Sequence, residues 1–223
     1  MTGSVLLTGA SGLVGVEVAA RLEGAGVPVT AVLHAARALV GNDGAPRTVA
    51  RRVEGDVRVP GLGLTDDAAT AAETALIVHC AATTAFDATD EEYERLNVAG
   101  ARHAVELALA WDVPLVHVST AYVCGLRGGL VLEDELDLGQ EFGTCYERSK
   151  LRAEQIVEAA RARGCVPRWC GRGSSPAPPA TARSGITRTC TPWSSSWWRG
   201  SCARCPAATT PPSRWRRSTT WPT

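Results

Sequence analysis

The chain begins with a short apolar run, three evenly spaced glycines and a helical repeat of apolar residues. The run from Ser4 to Thr8 is aliphatic, as in a strand that is buried on both faces. Glycines follow at every third position, at Gly9, Gly12 and Gly15. Glycine lets the backbone approach a ligand closely, and the N–H groups at a helix start attract anions. The pattern predicts a strand–turn–helix unit that binds the phosphates of a dinucleotide, although a plain glycine turn has the same spacing.

Composition limits the classes of protein that this sequence fits. A chain of 223 residues can form one large α/β domain or one domain with an appendage. Its formal net charge is zero, so no single-sign field favours nucleic acid over the whole molecule. Arginine interleaved with tryptophan near the end of the chain also fits nucleic-acid binding, but we expect no nucleic-acid partner. No apolar run reaches the ~20 residues of a membrane span, and no signal peptide pattern follows Met1. The eight cysteines do not form a secreted disulfide framework. We expect a cytoplasmic protein with reduced thiols; its oligomeric state cannot be predicted.

Strands and helices alternate along the first part of the chain. Strands are predicted at 27–33, 51–55, 75–79 and 114–118, with helices starting at Thr65 and covering 90–111 and 145–163. This alternation predicts a doubly wound parallel α/β sheet of the Rossmann type. The domain is expected to cover 1–166 and to be truncated after the fifth strand and its following helix. An irregular tail is expected over 167–223.

The ends of the second and third strands bear on the choice of cofactor. An acid after the second strand would bind a ribose 2′-hydroxyl, whereas an arginine accommodates a 2′-phosphate. Here Leu33 is followed by His-Ala-Ala and then Arg37, with no acid. This favours NADP over NAD, although Arg37 also fits a solvated surface residue. Asp56, just after the third strand, is predicted to cap a turn or to accept a hydrogen bond from adenine.

A tyrosine and a lysine lie four residues apart at the start of the last predicted helix. Tyr146 and Lys150 therefore share one helix face, about 6 Å apart at Cβ. A nearby ammonium favours phenolate and should lower the tyrosine pKa. Lys150 is also the only lysine in the chain. The pair predicts acid–base chemistry, and an exposed helical pair is the alternative.

Taken together, these motifs resemble the extended short-chain dehydrogenase/reductase family. The resemblance rests on the glycine turn, Asp56, Asn97, Thr120 and the Tyr-x-x-x-Lys pair in this order, and it covers residue 4 to about residue 164. The segments 80–86, 117–123 and 146–150 are similar to the thioester reductase and fatty acyl reductase ("male sterility") branch. The sugar-nucleotide epimerase branch is also similar, but Cys124 stands where that branch has a tyrosine.

The resemblance implies a role for each matching residue. Tyr146 would be the general acid, Lys150 would lower its pKa and hold the nicotinamide ribose, and Thr120 would bind the substrate carbonyl. Asn97, ordinarily a solvent-facing polar residue, would support the active-site geometry. The implied cofactor-binding residues are Gly9, Ser11, Gly12, Leu13, Gly15, Arg37, Asp56, Val57, Ala81, Ala82, Tyr146 and Lys150. The small side chains of Ala81 and Ala82 are equally explained by tight packing.

The function that follows is an NADP-preferring oxidoreductase, with NAD as the second choice, that reduces a carbonyl or acyl-thioester group of a small-molecule substrate. One alternative is an NAD-dependent sugar-nucleotide epimerase or dehydratase. Another is a non-catalytic dinucleotide-binding sensor or scaffold, which would need only the glycine turn and not the set Thr120, Tyr146 and Lys150.

The sequence changes character after about Pro167. Six of the seven tryptophans lie beyond it, acidic residues are absent, and aliphatic residues are few. Cys202 and Cys205 have zinc-knuckle spacing but no second ligand pair, so no metal site is predicted. Back-translation with GC-rich codons, moved by one nucleotide, gives apolar segments over 168–177, 199–207 and 213–223. The first is similar to the family's sixth strand. We therefore interpret the segment from about Arg168 as a frame-shifted reading, and expect the chain as written to be poorly soluble and inactive.

Overall fold

A computed structural model describes residues 3–34, 38–64, 67–85, 87–132, 135–162 and 188–189. Its main sheet has five parallel strands in the order β3-β2-β1-β4-β5. The strands are β1 (Ser4–Thr8), β2 (Val29–Leu33), β3 (Arg51–Glu54), β4 (Thr74–His79) and β5 (Leu115–His117). The predicted doubly wound parallel sheet is confirmed, and within the described residues β5 is the last strand at its edge of this sheet.

Helices connect the strands. They are α1 (Leu13–Gly24), α2 (Asp67–Glu73), α3 (Asp90–Tyr93), α4 (Ala99–Ala110) and α5 (Cys145–Ala162), with short 3₁₀ helices at Pro60–Gly63 and Ala121–Cys124. The predicted helix over 90–111 is interrupted, because a π-helical turn (Glu94–Val98) separates α3 from α4. Such turns are often found at functional sites, and this one carries Asn97.

The sheet is buried on both faces. On one face Leu6, Ile77 and Leu115 pack with α4 and α5, and on the other Leu7 and Val78 pack with α1. Alternate residues of each strand therefore face different helices, which explains why β1 and β2 are mostly apolar and are buried along nearly their whole length. Burying one leucine side chain fully stabilises the fold by about 2 kcal/mol.

Some strand ends differ from their predicted positions. β2 begins at Val29 rather than at residue 27, because the N–H of Val27 bonds the Leu22 carbonyl at the end of α1. A short antiparallel pair, β6 (Leu130–Val131) with β7 (Arg188–Thr189), was not predicted. Arg37, Thr65 and the remainder of 167–223 lie outside the described residues, and with them the expected irregularity of the tail. In the described part of the chain, no helix is long and apolar enough to cross a membrane.

Candidate active site

The predicted site residues gather at the carboxyl edge of the sheet. β1 and β4 are adjacent there, although they are not consecutive in the chain, and connections leave them toward opposite faces. In doubly wound folds ligands bind in the crevice at this point of reversal. The glycine turn follows β1, Ala81 follows β4, and Thr120 follows β5, while Tyr146 and Lys150 reach the edge from α5.

The glycine turn is so tight that two of its positions leave no room for a side chain. Gly9 has φ +69°, and a Cβ there would lie 2.6 Å from the backbone nitrogen of Ala81. A Cβ on Gly15 would overlap the carbonyl oxygen of Gly9, the atom that accepts a hydrogen bond of 2.9 Å from the N–H of Gly12. The turn is therefore in direct backbone contact with α1 on one side and with the segment after β4 on the other.

The start of α1 presents free N–H groups at this turn. Gly12 is the N-cap, and no side chain caps the helix. The first N–H groups of a helix lack partners within it, so they suit an anion. Leu13, 73% exposed, and Ser11 border them on the surface. A narrow backbone cradle beside uncapped N–H groups fits a pyrophosphate.

A polar cluster occupies the ends of β2 and β3. Both carboxylate oxygens of Asp56 accept a hydrogen bond of 2.9 Å from Nε of Arg58. His34 lies against this pair, and Arg58 holds the pKa of Asp56 below its usual range. The Val57 carbonyl is 2.9 Å from Nδ1 of His103. Sequence reasoning missed Arg58 and His34, although His34 stands about 20 residues after the glycine turn, where the ribose-binding acid of this fold is found.

Asn97 is buried, not solvent-facing as its position in a helix first indicated. It is 2% exposed, its Oδ1 accepts from the Thr83 N–H at 2.8 Å, and its Nδ2 donates to Ser149 Oγ at 2.9 Å. Ser149 in turn donates to the Tyr146 carbonyl at 2.7 Å. Asn97 thus ties the segment after β4 to the helix that carries the tyrosine and lysine.

Tyr146 and Thr120 meet at the end of β5. The two side chains are hydrogen-bonded to each other, and the Thr120 hydroxyl also accepts from the N–H of Tyr122 at 3.3 Å. Burial raises the pKa of Tyr146 above its ordinary value, and this effect exceeds the opposing one of the Thr120 bond. The expectation that Lys150 lowers the Tyr146 pKa is therefore not met in this structure.

Lys150 is a buried base at the same edge. It is 3% exposed, and its Nζ donates to the Val118 carbonyl at 3.0 Å. Burial lowers the pKa of Lys150 to about 8. An amine of this kind holds or releases a proton near neutral pH.

Two stacked histidines lie in the sheet near Lys150. His79 ends β4 and His117 ends β5, with ring centroids 5.4 Å apart and both rings 1% exposed. His79 Nδ1 is 2.8 Å from the Thr8 hydroxyl, and burial lowers the pKa of His79 to about 3. Burial likewise lowers the His117 pKa well below its ordinary value. Both rings are therefore neutral. Sequence analysis did not identify these two histidines as site residues, because they end strands that are otherwise largely apolar. Both face α5.

The fold and this edge define an extended short-chain dehydrogenase/reductase. Residues 46–175 match the model of the male sterility protein family, which has an NAD-binding domain, and the chain belongs to that family. It is similar to a dTDP-4-dehydrorhamnose reductase of Mycolicibacterium smegmatis, at 29% identity over 78% of this chain and 47% of that protein.

Two solved structures are similar in sequence and fold. The terminal R domain of the myxalamid PKS-NRPS pathway is 29% identical with a TM-score of 0.63, over 74% of this chain and 47% of that one. MoeE5 in complex with UDP-glucose and NAD is 27% identical with a TM-score of 0.59, over 74% and 51%. This chain spans about half the length of the proteins it matches.

Proposed function

We propose that this protein is an NADP-preferring oxidoreductase that reduces a carbonyl or acyl-thioester group. The observation that carries the proposal is the meeting of Thr120, Tyr146 and Lys150 at the edge where the glycine turn leaves a backbone cradle. A sensor or scaffold would need the cradle alone.

The residues present fit a nicotinamide dinucleotide. Gly9, Gly12 and Gly15, with the uncapped start of α1, would hold the pyrophosphate, and Ala81 and Ala82 would leave room for the ribose. When bound, such a cofactor supplies the hydride that adds to a carbonyl carbon.

The side chains would supply the remaining steps of the reduction. Tyr146, with its pKa raised by burial, is protonated at neutral pH and can give its proton to the carbonyl oxygen. Thr120 would donate a hydrogen bond to that oxygen and orient it. Lys150, with a pKa of about 8, would hold a proton ready to restore Tyr146. Asn97 would keep the helix carrying both residues in place.

Cofactor choice is tested by fluorescence titration with NADPH and NADH. We expect NADPH to bind several-fold more tightly, because no acid follows β2. Equal or tighter binding of NADH would contradict the NADP assignment. The location that we propose for this activity is the cytoplasm.

The proposed activity requires a complete substrate-binding region. We propose that 168–223 is a frame-shifted reading, so the reaction is best assayed on the chain encoded after one-nucleotide restoration of the frame. Sequencing an uninterrupted frame through Arg168 would refute this part of the proposal. In the restored protein, addition of an acyl-thioester should lead to oxidation of NADPH. Tyr146→Phe should abolish this turnover and leave cofactor binding nearly intact.

A sugar-nucleotide epimerase or dehydratase is the second candidate. It is favoured by the similarity to MoeE5, whose structure contains UDP-glucose and NAD. An epimerase would convert a nucleotide sugar without net consumption of cofactor, whereas a thioester reductase would consume NADPH in proportion to product. Following cofactor absorbance together with product formation therefore separates the two reactions.

A further inference from the structure

His34 and Asp56 lie side by side just beyond the ends of two paired strands. Leu33 at the end of β2 is in register with Glu54 at the end of β3, and the N–H of Gly55 donates to the Leu33 carbonyl at 3.0 Å. His34 thus occupies the place where an acid would accept the ribose 2′-hydroxyl of NAD. The residue that distinguishes a ribose 2′-phosphate from a 2′-hydroxyl should therefore lie next to His34.

Arg58 closes a ring of hydrogen bonds with these two residues. Its backbone N–H and its Nε both donate to Asp56 Oδ1 at 2.9 Å, and its Nη2 is 2.7 Å from His34 Nε2. A guanidinium only donates, so Nε2 is the acceptor and Nδ1 carries the imidazole proton. Nδ1 lies 3.5 Å from Asp56 Oδ2. The ring therefore holds the Arg58 guanidinium between the Asp56 carboxylate and the His34 imidazole.

The arrangement leaves Asp56 poorly placed to accept from a ribose or an adenine. Both of its oxygens are occupied by Arg58, and its side chain is 22% exposed. The side chain of Arg58 is more open, at 32% exposed. Nη1 of Arg58 has no hydrogen-bond partner within the described ranges. The cluster thus offers hydrogen-bond donors to solvent and keeps its acid occupied.

We propose that Arg58 binds the 2′-phosphate of NADP, and that Asp56 is a positioning residue that orients Arg58. The proposal rests on the dinucleotide site proposed above. The planar guanidinium would donate two N–H groups to the phosphate, a geometry that suits phosphate oxygens. A ribose 2′-hydroxyl would find no free carboxylate here. The preference for NADP over NAD is thereby assigned to Arg58, which follows β3, rather than to Arg37.

The test measures binding of 2′,5′-ADP and of 5′-AMP to the full chain by calorimetry. These probes differ only in the 2′-phosphate, so the ratio of their affinities reports on this subsite alone. We expect the chain to bind 2′,5′-ADP at least about tenfold more tightly than the probe without the 2′-phosphate. The loss of a single good contact weakens binding by about tenfold. Arg58→Met should remove most of that preference and leave 5′-AMP affinity within about twofold.

Arg51→Met is the matched control. Arg51 starts β3, the strand that precedes Arg58, and therefore lies at the opposite edge of the sheet. It is also paired with a carboxylate, that of Glu73, at 3.0 Å. It should leave the ratio unchanged. For Asp56, the effect of Arg58→Met on the ratio should shrink in an Asp56→Asn background, which a merely structural role would not produce.

The outcomes separate this inference from the proposed function. If neither probe binds the unaltered chain, the dinucleotide site is wrong and this subsite with it. If both bind equally, the site stands and the 2′-phosphate assignment is overturned. If the preference survives Arg58→Met but is lost in Arg37→Met, Arg37 reads the phosphate and our assignment is wrong.

Discussion

The two ends of the proposed active site are built in opposite ways. At the glycine turn the site consists of backbone, and side chains are excluded from Gly9 and Gly15 by contacts with neighbouring main chain. Around Tyr146 and Lys150 it consists of side chains from several elements, joined by hydrogen bonds and largely buried. The first end is therefore sensitive to added atoms and the second to removed ones.

The difference also bears on folding. Close backbone contact at the turn buries no charged group, whereas Lys150 places an amine in the protein interior. A buried amine without full compensation destabilises the folded state, and here the result is a depressed pKa. The catalytic end thus holds a group that stability alone would not favour.

The largest effect is expected from adding one methyl group at the turn. Gly15→Ala would drive a Cβ into the Gly9 carbonyl and should lower the free energy of unfolding by at least about 3 kcal/mol, with loss of dinucleotide binding. Gly24→Ala, at the end of the same helix, has no atom within 4 Å of the new Cβ and should be neutral or slightly stabilising. Equal melting temperatures for the two variants would show that the turn is not tightly packed.

Removing the buried amine should change how stability depends on pH. The pKa of Lys150 is about 8 in the folded protein and 10.5 when unperturbed. Between these values the unfolded chain retains a proton that the folded chain has lost, so the free energy of unfolding rises with pH, by up to about 3 kcal/mol. Lys150→Met should abolish this rise. Denaturant unfolding at pH 7 to 10 measures it, and parallel curves for the two proteins would contradict the buried pKa.

Asn97→Ala should cost about 2 kcal/mol, because it removes bonds to the Thr83 backbone and to Ser149 and leaves buried polar groups unpaired. Asn42→Ala is the control, since Asn42 is exposed and its side-chain amide donates to the Leu13 carbonyl. It should cost well under about 1 kcal/mol. Similar urea midpoints for the two variants would argue against a supporting role for Asn97.

The smallest effect on stability is expected at Tyr146. Tyr146→Phe loses the hydroxyl bond to Thr120 and should cost about 1 kcal/mol or less, with NADPH affinity almost unchanged. Tyr122→Phe, on a side chain that is half exposed, should have no measurable effect on either. A large loss of NADPH affinity in Tyr146→Phe would make this residue part of the binding site rather than the proton donor.

The sequence predicted the backbone-built end well, since glycine spacing and apolar strands follow directly from local geometry. The five parallel strands and the glycine turn are where the pattern placed them. The π-helical turn at Asn97 could not be predicted, because local propensity does not distinguish it from a regular helix.

Side-chain environments were harder to predict. Whether Asn97 faces solvent or Ser149, and whether His34 meets Arg58, depends on how distant segments pack. The pKa of Tyr146 was predicted in the wrong direction, because residue spacing reports the nearby lysine but not the burial of the phenol, which raises the pKa. The roles assigned to the site residues stay predictions.

The central claim is that both ends bind one nicotinamide dinucleotide, and the single lysine allows a direct test. Growth on ε-¹³C-lysine labels Lys150, the single lysine of the chain, and loss of the signal in Lys150→Arg confirms its assignment in the NMR spectrum. We predict that NADPH shifts this signal, whereas 2′,5′-ADP, which lacks the nicotinamide half, binds without shifting it. An unchanged Lys150 signal at concentrations where NADPH binding is saturated would contradict the account.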